Sequence, residues 1–296
     1  MKPKTKAHLA VLITNFLFGI NYATIKFITP AYIKPVALNV ARVLTAFILF
    51  WLLYFLKPTT AGIRRKDVPR FIACAATGVV LNQLLFVKGL SLTTTIHASL
   101  LALATPIFIT FIAAWLLKEM LNFQKVTGLI LGVSGAALLI LLKDNSHSGS
   151  DVFLGDIFIL INAISYAFYM VLVRPLMQVY SPAHVIRWVF TFGLIMLIPF
   201  AGSEFVNTNW SAFATIHWMM LALVCVGATF VTYLFNVYGI SVIGASATGS
   251  YIYTQPVFAA IVAILFMGEH FTLCKIISAV LIFVGVYLVY FKKSVQ

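Results

Sequence analysis

Acidic side chains are scarce in this sequence. Seven Asp and Glu stand against 20 Lys and Arg in 296 residues, and charged residues make up only 9%. The formal charge of +13 therefore reflects missing acids rather than a dense basic surface. Soluble domains carry about 25% charged residues. With 62% hydrophobic side chains, a soluble domain of this size would lack the polar surface to stay wetted. The same numbers exclude a disordered chain and a nucleic-acid-binding module. Cysteine is rare too: Cys74, Cys225 and Cys274 lie in or beside apolar runs without metal-ligand spacing. That excludes a disulfide scaffold and leaves no basis for a metal site or a cofactor. Also missing are a Gly-x-Ser-x-Gly elbow, a His-Glu-x-x-His pair and a phosphate loop. An enzyme is not expected.

What is present is a series of long apolar runs. A membrane-spanning helix needs about 20 mostly apolar residues. Runs of that kind occupy roughly 8–28, 35–56, 68–88, 93–117, 124–142, 153–174, 182–202, 214–238, 244–267 and 273–291. The sequence thus predicts an all-α integral membrane protein of ten transmembrane helices. Its connectors are too short for a soluble domain. The first run follows Lys2, Lys4 and Lys6 but exceeds a signal peptide in length and lacks a clear cleavage site, so it reads as a retained helix. With the N-terminus inside, the Arg64–Lys66 cluster, Arg70, Lys118, Lys125, Arg174, Arg187, Lys292 and Lys293 fall on the cytoplasmic side. Only Lys26, Lys34, Lys88, Lys143 and Lys275 fall outside. This asymmetry places both termini in the cytoplasm.

The two halves of the chain resemble each other. At an offset of 150, Gly89 meets Gly239, Ser91 meets Ser241, Pro106 meets Pro256, Glu119 meets Glu269, Lys125 meets Lys275 and Gly135 meets Gly285. At an offset of 147, Asn15 meets Asn162 and Tyr22 meets Tyr169. Two five-helix repeats follow, at 7–142 and 153–292, joined by a polar linker at 143–152. Five is odd, so the second repeat enters the membrane inverted. Inverted repeats suit alternating access around a site between the halves.

Particular blocks carry a family likeness. Asn82-Gln83-Leu84-Leu85-Phe86, Gly89 to Thr93, Ala98 to Leu101, Thr105-Pro106 and Lys118-Glu119 resemble the first half of the EamA-type transporters of the drug/metabolite transporter superfamily. Tyr233 to Tyr238, Tyr251 to Val257 and Gly268-Glu269 resemble its second half. One position departs: Lys118 stands where the family more often has Gly before Glu. The resemblance implies a ten-helix, inverted-repeat exporter of the bacterial inner membrane, in a family whose members move amino acids, amines and related metabolites.

Several polar residues lie within predicted spans. Arg42 sits seven residues past Pro35, about 10 Å along its helix. It either snorkels to headgroups or faces a cavity, where its guanidinium can fork a carboxylate or phosphate. Arg187 reads as a cytoplasmic anchor, and Lys26 as an interface anchor. Asn21 and Asn82, at a depth close to Arg42, are candidate cavity residues. Tyr22, Tyr251 and Gln255 are candidates to shape the pocket with them. Pro106 and Pro256 free the carbonyls of Ala102 and Ile252 and mark candidate hinges. Glu119 and Glu269 stand at helix ends, suited to capping or to pairing with Lys118, Lys125 or Lys275. His97, near the start of its helix, reads as structural, and no acid lies at the centre of a span. The Gly128-x-x-x-Gly132 pattern followed by Gly135 predicts close helix packing.

These features together predict a secondary transporter of the bacterial inner membrane, a multi-pass protein whose partners are a small-molecule substrate and the lipid bilayer. Export of amino acids or similar amphipathic metabolites is expected. Phosphorylated metabolites, nucleotide sugars or organic cations are the alternative. Proton coupling finds no support at this level.

Overall fold

A computed structural model describes residues 2–56, 58, 62–118, 123–141, 150–243, 248, 251–270 and 272–290. Among these residues every regular element is helical. We number the helical segments α1 (Pro3–Ile28), α2 (Pro35–Leu56), α3 (Arg65–Leu92), α4 (residues 95–117), α5 (Phe123–Leu141), α6 (Val152–Val179), α7 (Pro182–Val206), α8 (residues 215–243), α9 (Tyr251–Met267) and α10 (Leu273–Tyr290). Eight of them, α1 to α8, are long and apolar enough to cross a membrane, and α9 and α10 are shorter apolar helices. The expected spans coincide with these helices, with ends that differ by up to about five residues: α1 starts at Pro3, α6 runs on to Val179 and α8 to Ile243. Most of the predicted start of the ninth span, most of the linker, and Glu119 lie outside the described residues.

The packing interlocks the two parts of the chain. α1 leaves its sequence neighbours to pack on α8 and α9, while α6 packs on α3 and α4. α2 pairs with α7, and α5 with α10. The α5–α10 pair depends on glycine. A Cβ on Gly285 would lie 2.6 Å from the Gly128 carbonyl oxygen and from the Gly132 amide nitrogen, and one on Gly135 would lie 2.9 Å from the Ser278 carbonyl oxygen. The helices touch backbone to backbone, as small-residue faces allow in lipid. The glycine face expected on α5 thus meets Gly285 of α10.

Two departures from regular helix recur in both parts. α3 opens into wide π-turns over Ala76–Leu81, and α8 does so over Leu223–Val231; the two stretches start 147 residues apart. In α8 the Thr229 hydroxyl donates back five residues to the Val224 carbonyl. Such turns bend a helix and are frequent at functional sites. Helix ends recur likewise. α9 finishes on Gly268 at φ 66°, and α4 finishes on Lys118 at φ 54°. Lys118, which stands where the resembling sequences more often have glycine, is therefore at a left-handed position, which costs an L-residue roughly 1 kcal/mol.

Two mutational outcomes follow. Lys118→Gly raises the thermal unfolding midpoint in detergent, by relief of roughly 1 kcal/mol of backbone strain. Gly285→Ala lowers it, because a methyl group pushes against the α5 backbone at a cost of about 1–3 kcal/mol. Equal midpoints for Gly285→Ala and wild type would show that the α5–α10 contact is looser than described.

Candidate functional site

Arg42 is buried, 6% exposed, on the face of α2 that meets α8. Its Nε donates to the Thr229 hydroxyl at 3.2 Å, within the π-turns of α8. Cys225 and Tyr233 of the same helix are close enough to interact with its charge. Tyr233 in turn faces Tyr166 and Tyr169 of α6, whose rings lie 5.6 Å apart. Gly78, in the π-turns of α3, admits the Tyr169 ring; a Cβ there would come within 2.4 Å of it. Arg42 Nη1 has no hydrogen-bond partner among the described residues. No described carboxylate pairs with this guanidinium. A buried cation without a counter-charge is costly. Among the described residues, the surroundings of Arg42 are a hydroxyl, a thiol and aromatic rings, with no counter-charge.

One turn earlier on α2, Asn39 is fully buried with neither amide atom bonded. Residues three apart on a helix share a face. Asn39 was not singled out from the sequence, where it reads as part of a helix start four residues past Pro35. Asn21 of α1 and Gln83 of α3 are buried too, each with its amide oxygen unpaired.

The remaining sequence candidates line helix interfaces rather than gathering on Arg42. Tyr22 of α1 is buried edge-on against Phe86 of α3, at 5.2 Å between ring centroids. Asn82 of α3 and Asn162 of α6 donate to each other's backbone carbonyls, at 3.5 and 2.6 Å. The Gln255 amide of α9 donates to the Asn15 side-chain oxygen of α1 at 2.8 Å. The Tyr251 hydroxyl lies 2.8 Å from His8 Nδ1, near the start of α1. No described hydrogen bond or ring contact joins any of these to Arg42. Arg187 is buried between aromatic rings, its guanidinium 3.9 Å from the Tyr54 centroid and 4.9 Å from that of Trp51.

Pro106 and Pro256 each open a new helical stretch after a break. α4 stops at Ala102 and restarts at Thr105; α9 is a tight 3-10 turn over Tyr251–Thr254 before Gln255. The carbonyl freed at Ala102 accepts from the Thr105 hydroxyl at 2.7 Å. In α9 the Thr254 hydroxyl donates to the Tyr251 carbonyl at 2.7 Å. The threonine just before each proline satisfies a backbone oxygen that lipid would leave bare.

A polar cluster that sequence reasoning missed sits at the end of the bundle where α1 finishes and α6 begins. Asp156 of α6 is fully buried. Its Oδ1 accepts from the Thr93 hydroxyl, and its Oδ2 lies 2.8 Å from His97 Nδ1. Lys26 of α1 donates to the Thr93 carbonyl, and its charge is within reach of both Glu269 and Asp156. Glu269, after α9, accepts from the amides of Thr95 and Ile96 at 2.7 and 2.9 Å, capping the start of α4. Glu269 thus caps a helix start 174 residues away in sequence. Asp156 escaped notice because it stands only four residues into its helix. Its one sequence signal is its proximity to Gly155, against which the Gly89 carbonyl packs.

Comparisons with known proteins match this architecture. The model of the EamA-like transporter family matches twice, over residues 5–141 and 153–291. An "Uncharacterized transporter" of Archaeoglobus fulgidus is 25% identical, over 96% of this chain and 97% of its own length. "Uncharacterized transporter YetK" of Bacillus subtilis is 23% identical over 83% of this chain and 75% of its own. A "Probable terminal-alkyne amino-acid exporter" of Streptantibioticus cattleyicolor is 28% identical over 70% of this chain and 69% of its own. A solved crystal structure covers 97% of this chain and 98% of its own at a TM-score of 0.64, with 15% identity, which shows a shared fold. The family match spans nearly the whole chain in two stretches, and eight described helices are long and apolar enough to cross a membrane: the protein is a multi-pass membrane transporter of the cell membrane and belongs to the EamA-like transporter family.

Proposed function

We propose that this transporter exports amino acids or closely similar zwitterions by alternating access, with Arg42 holding the substrate carboxylate. The observation that carries the reading is the buried Arg42 guanidinium, whose Nη1 has no partner among the described residues. A carboxylate supplies the missing counter-charge, and guanidinium can bind it through two parallel hydrogen bonds. The rings of Tyr166, Tyr169 and Tyr233 offer an apolar wall for an amphipathic side chain. Asn21 and Asn82, with Tyr22, Tyr251 and Gln255, contribute along the faces where α1 and α3 meet the other half. The relative named as an amino-acid exporter supports the substrate class.

Ten crossings arranged as two inverted repeats, residues 7–142 and 153–292, with both termini in the cytoplasm, complete this reading. Its support is the two-fold family match, the exchange of α1 and α6 between the parts, and the recurrence of the π-turns and left-handed helix ends. Pro106 and Pro256 serve as hinges at which α4 and α9 change direction as access alternates. Glu119 is assigned a helix-end role like that of Glu269.

Counterflow in proteoliposomes loaded with a mixed pool of unlabelled amino acids tests the substrate. Labelled amino acids of one subset accumulate in wild type. Arg42→Gln reduces that accumulation by about 10–100-fold, the value of roughly 1.5–3 kcal/mol for a hydrogen bond to a charged group, and Arg42→Lys retains part of it. Wild-type counterflow undiminished in Arg42→Gln removes Arg42 from the binding site. Topology is tested separately in intact cells. An impermeant maleimide labels Asp151→Cys from outside and does not label Lys66→Cys; the reverse pattern inverts the orientation.

A further inference from the structure

Arg42 and Asn39 are not alone in carrying buried, unbonded polar atoms near the seam between α2, α7 and α8. Glu204 stands two residues before the end of α7, and its Oε2 is buried without a hydrogen-bond partner. No described cation pairs with this carboxylate. We propose that Asn39 and Glu204 hold the ammonium group of a zwitterionic substrate whose carboxylate rests on Arg42. The inference rests on the reading of Arg42 as the carboxylate site and adds the opposite pole.

Helix phase carries the placement. α2 and α7 run antiparallel: the Arg187 guanidinium lies 3.9 Å from the Tyr54 ring, and Phe190, further along α7, lies 5.5 Å from Phe50, nearer the start of α2. Phe50 is also 4.9 Å from Phe230 of α8, and Phe190 is 5.3 Å from Tyr233 of α8. The three helices therefore meet along these stripes. Asn39 precedes Phe50 by eleven residues, close to three turns, and so faces the same seam. Arg42, three residues on from Asn39, reaches Thr229 of α8. Glu204 follows Phe190 by fourteen residues, close to four turns. That stripe continues through Pro199, since Leu197 and Ala201 on either side of it are buried. The antiparallel register brings Glu204 level with the first turn of α2, about 8 Å along the axis from Arg42, with Asn39 between them. Asn39 is fully buried and Glu204 half-buried, which makes Glu204 the most exposed of the three.

The three groups complement one chemical pattern. An α-amino acid carries its ammonium and its carboxylate on a single carbon. Ammonium is a donor only, and the Asn39 amide oxygen and the Glu204 carboxylate are acceptors. The Asn39 amide nitrogen donates to the substrate carboxylate beside Arg42 Nη1. Each of the atoms left unbonded by the chain is then satisfied, and each buried charge meets its opposite. Glu204 also excludes. A phosphorylated metabolite brings further negative charge against this carboxylate. A simple amine leaves Arg42 unpaired, which is costly at this depth.

Competition in proteoliposomes containing the full chain tests the ammonium pole. Labelled amino acids that accumulate in wild type by counterflow are competed by the same amino acids unlabelled, by their 2-hydroxy-acid analogues, which lack the ammonium, and by the corresponding amines, which lack the carboxylate. Wild type prefers the amino acid to the 2-hydroxy acid by about 100-fold or more, because the analogue leaves buried polar groups unpaired. Glu204→Gln cuts that preference to within about ten-fold, whereas Arg42→Gln cuts the preference over the amine. Equal competition by 2-hydroxy acids in wild type, or an unchanged preference in Glu204→Gln, overturns the ammonium pole and leaves Arg42 its carboxylate. A preference that falls in Glu204→Gln while Arg42→Gln behaves as wild type upholds the ammonium pole and removes Arg42. No accumulation of any amino acid in wild type overturns both. Asn39→Leu adds a readout without substrate. Loss of an unpaired buried amide leaves the thermal unfolding midpoint in detergent level or higher, while competition by amino acids weakens about ten-fold. A lower midpoint with competition unweakened shows that the Asn39 amide serves the fold and overturns its place in the site.

Discussion

The hydrocarbon core of a membrane offers no water to a polar group, so every buried donor and acceptor has to find a partner within the protein or in a ligand. Much of this structure follows from that demand. The carbonyl bared before Pro106 is taken up by Thr105. Asn82 and Asn162 trade backbone contacts across α3 and α6, and Asn15 and Gln255 join α1 to α9. Glu269 absorbs two of the amide groups that any helix start leaves open. Interhelical hydrogen bonds of this sort are individually weak, about 1 kcal/mol or less. Their effect is to fix which helix faces which.

Against that background the exceptions carry information. Arg42 Nη1 and both amide atoms of Asn39 are buried and unbonded on one face of α2. Unsatisfied groups in a membrane interior are costly, and these two stand one helical turn apart on the same face of α2. The contrast with Arg187 is informative. It is also buried on a helix facing its partner, yet it rests against the rings of Tyr54 and Trp51. Cation–π contact gives that charge a resident partner. The two arginines stand 145 residues apart, near the repeat spacing, and among the described residues only Arg187 has aromatic rings stacked on its guanidinium.

The helices were legible because length and hydropathy are local properties, and a run such as 35–56 leaves little choice of structure. The repeat was legible because Gly, Pro and Glu coincidences are rare in apolar sequence. Arg42, Pro106 and Pro256 stood out as residues that cost energy where they are. Asp156 and Asn39 did not, since each lies within about a turn of a helix start, where a polar residue usually meets water. Burial there comes from tertiary packing: the α3–α4 turn covers Asp156, and Gly155 lets that turn approach, a Cβ at Gly155 lying only 2.6 Å from the Thr93 amide nitrogen. Partner choice was illegible for the same reason. Lys118, Lys125 and Lys275 are near Glu269 or its repeat counterpart in sequence, yet Glu269 spends both oxygens on the amides of α4.

The placement of α1 and α6 bears on how such a bundle can move. Each packs on two helices of the opposite part, so neither part can shift without carrying a helix of the other. A rigid-body slide would break the Asn15–Gln255 and Asn82–Asn162 contacts at once. Bending within helices costs less, because the breaks before Pro106 and Pro256 and the π-turns of α3 and α8 already lack regular i to i−4 bonds. The ends of α3 and α8 can therefore swing while their packed portions stay in contact. The α3 π-turns hold Gly78 against Tyr169, and the same helix leads on to the turn at Thr93 that holds Asp156. Bending there would move the cluster around Asp156 and the aromatic rings near Arg42 together, because a single helix touches both.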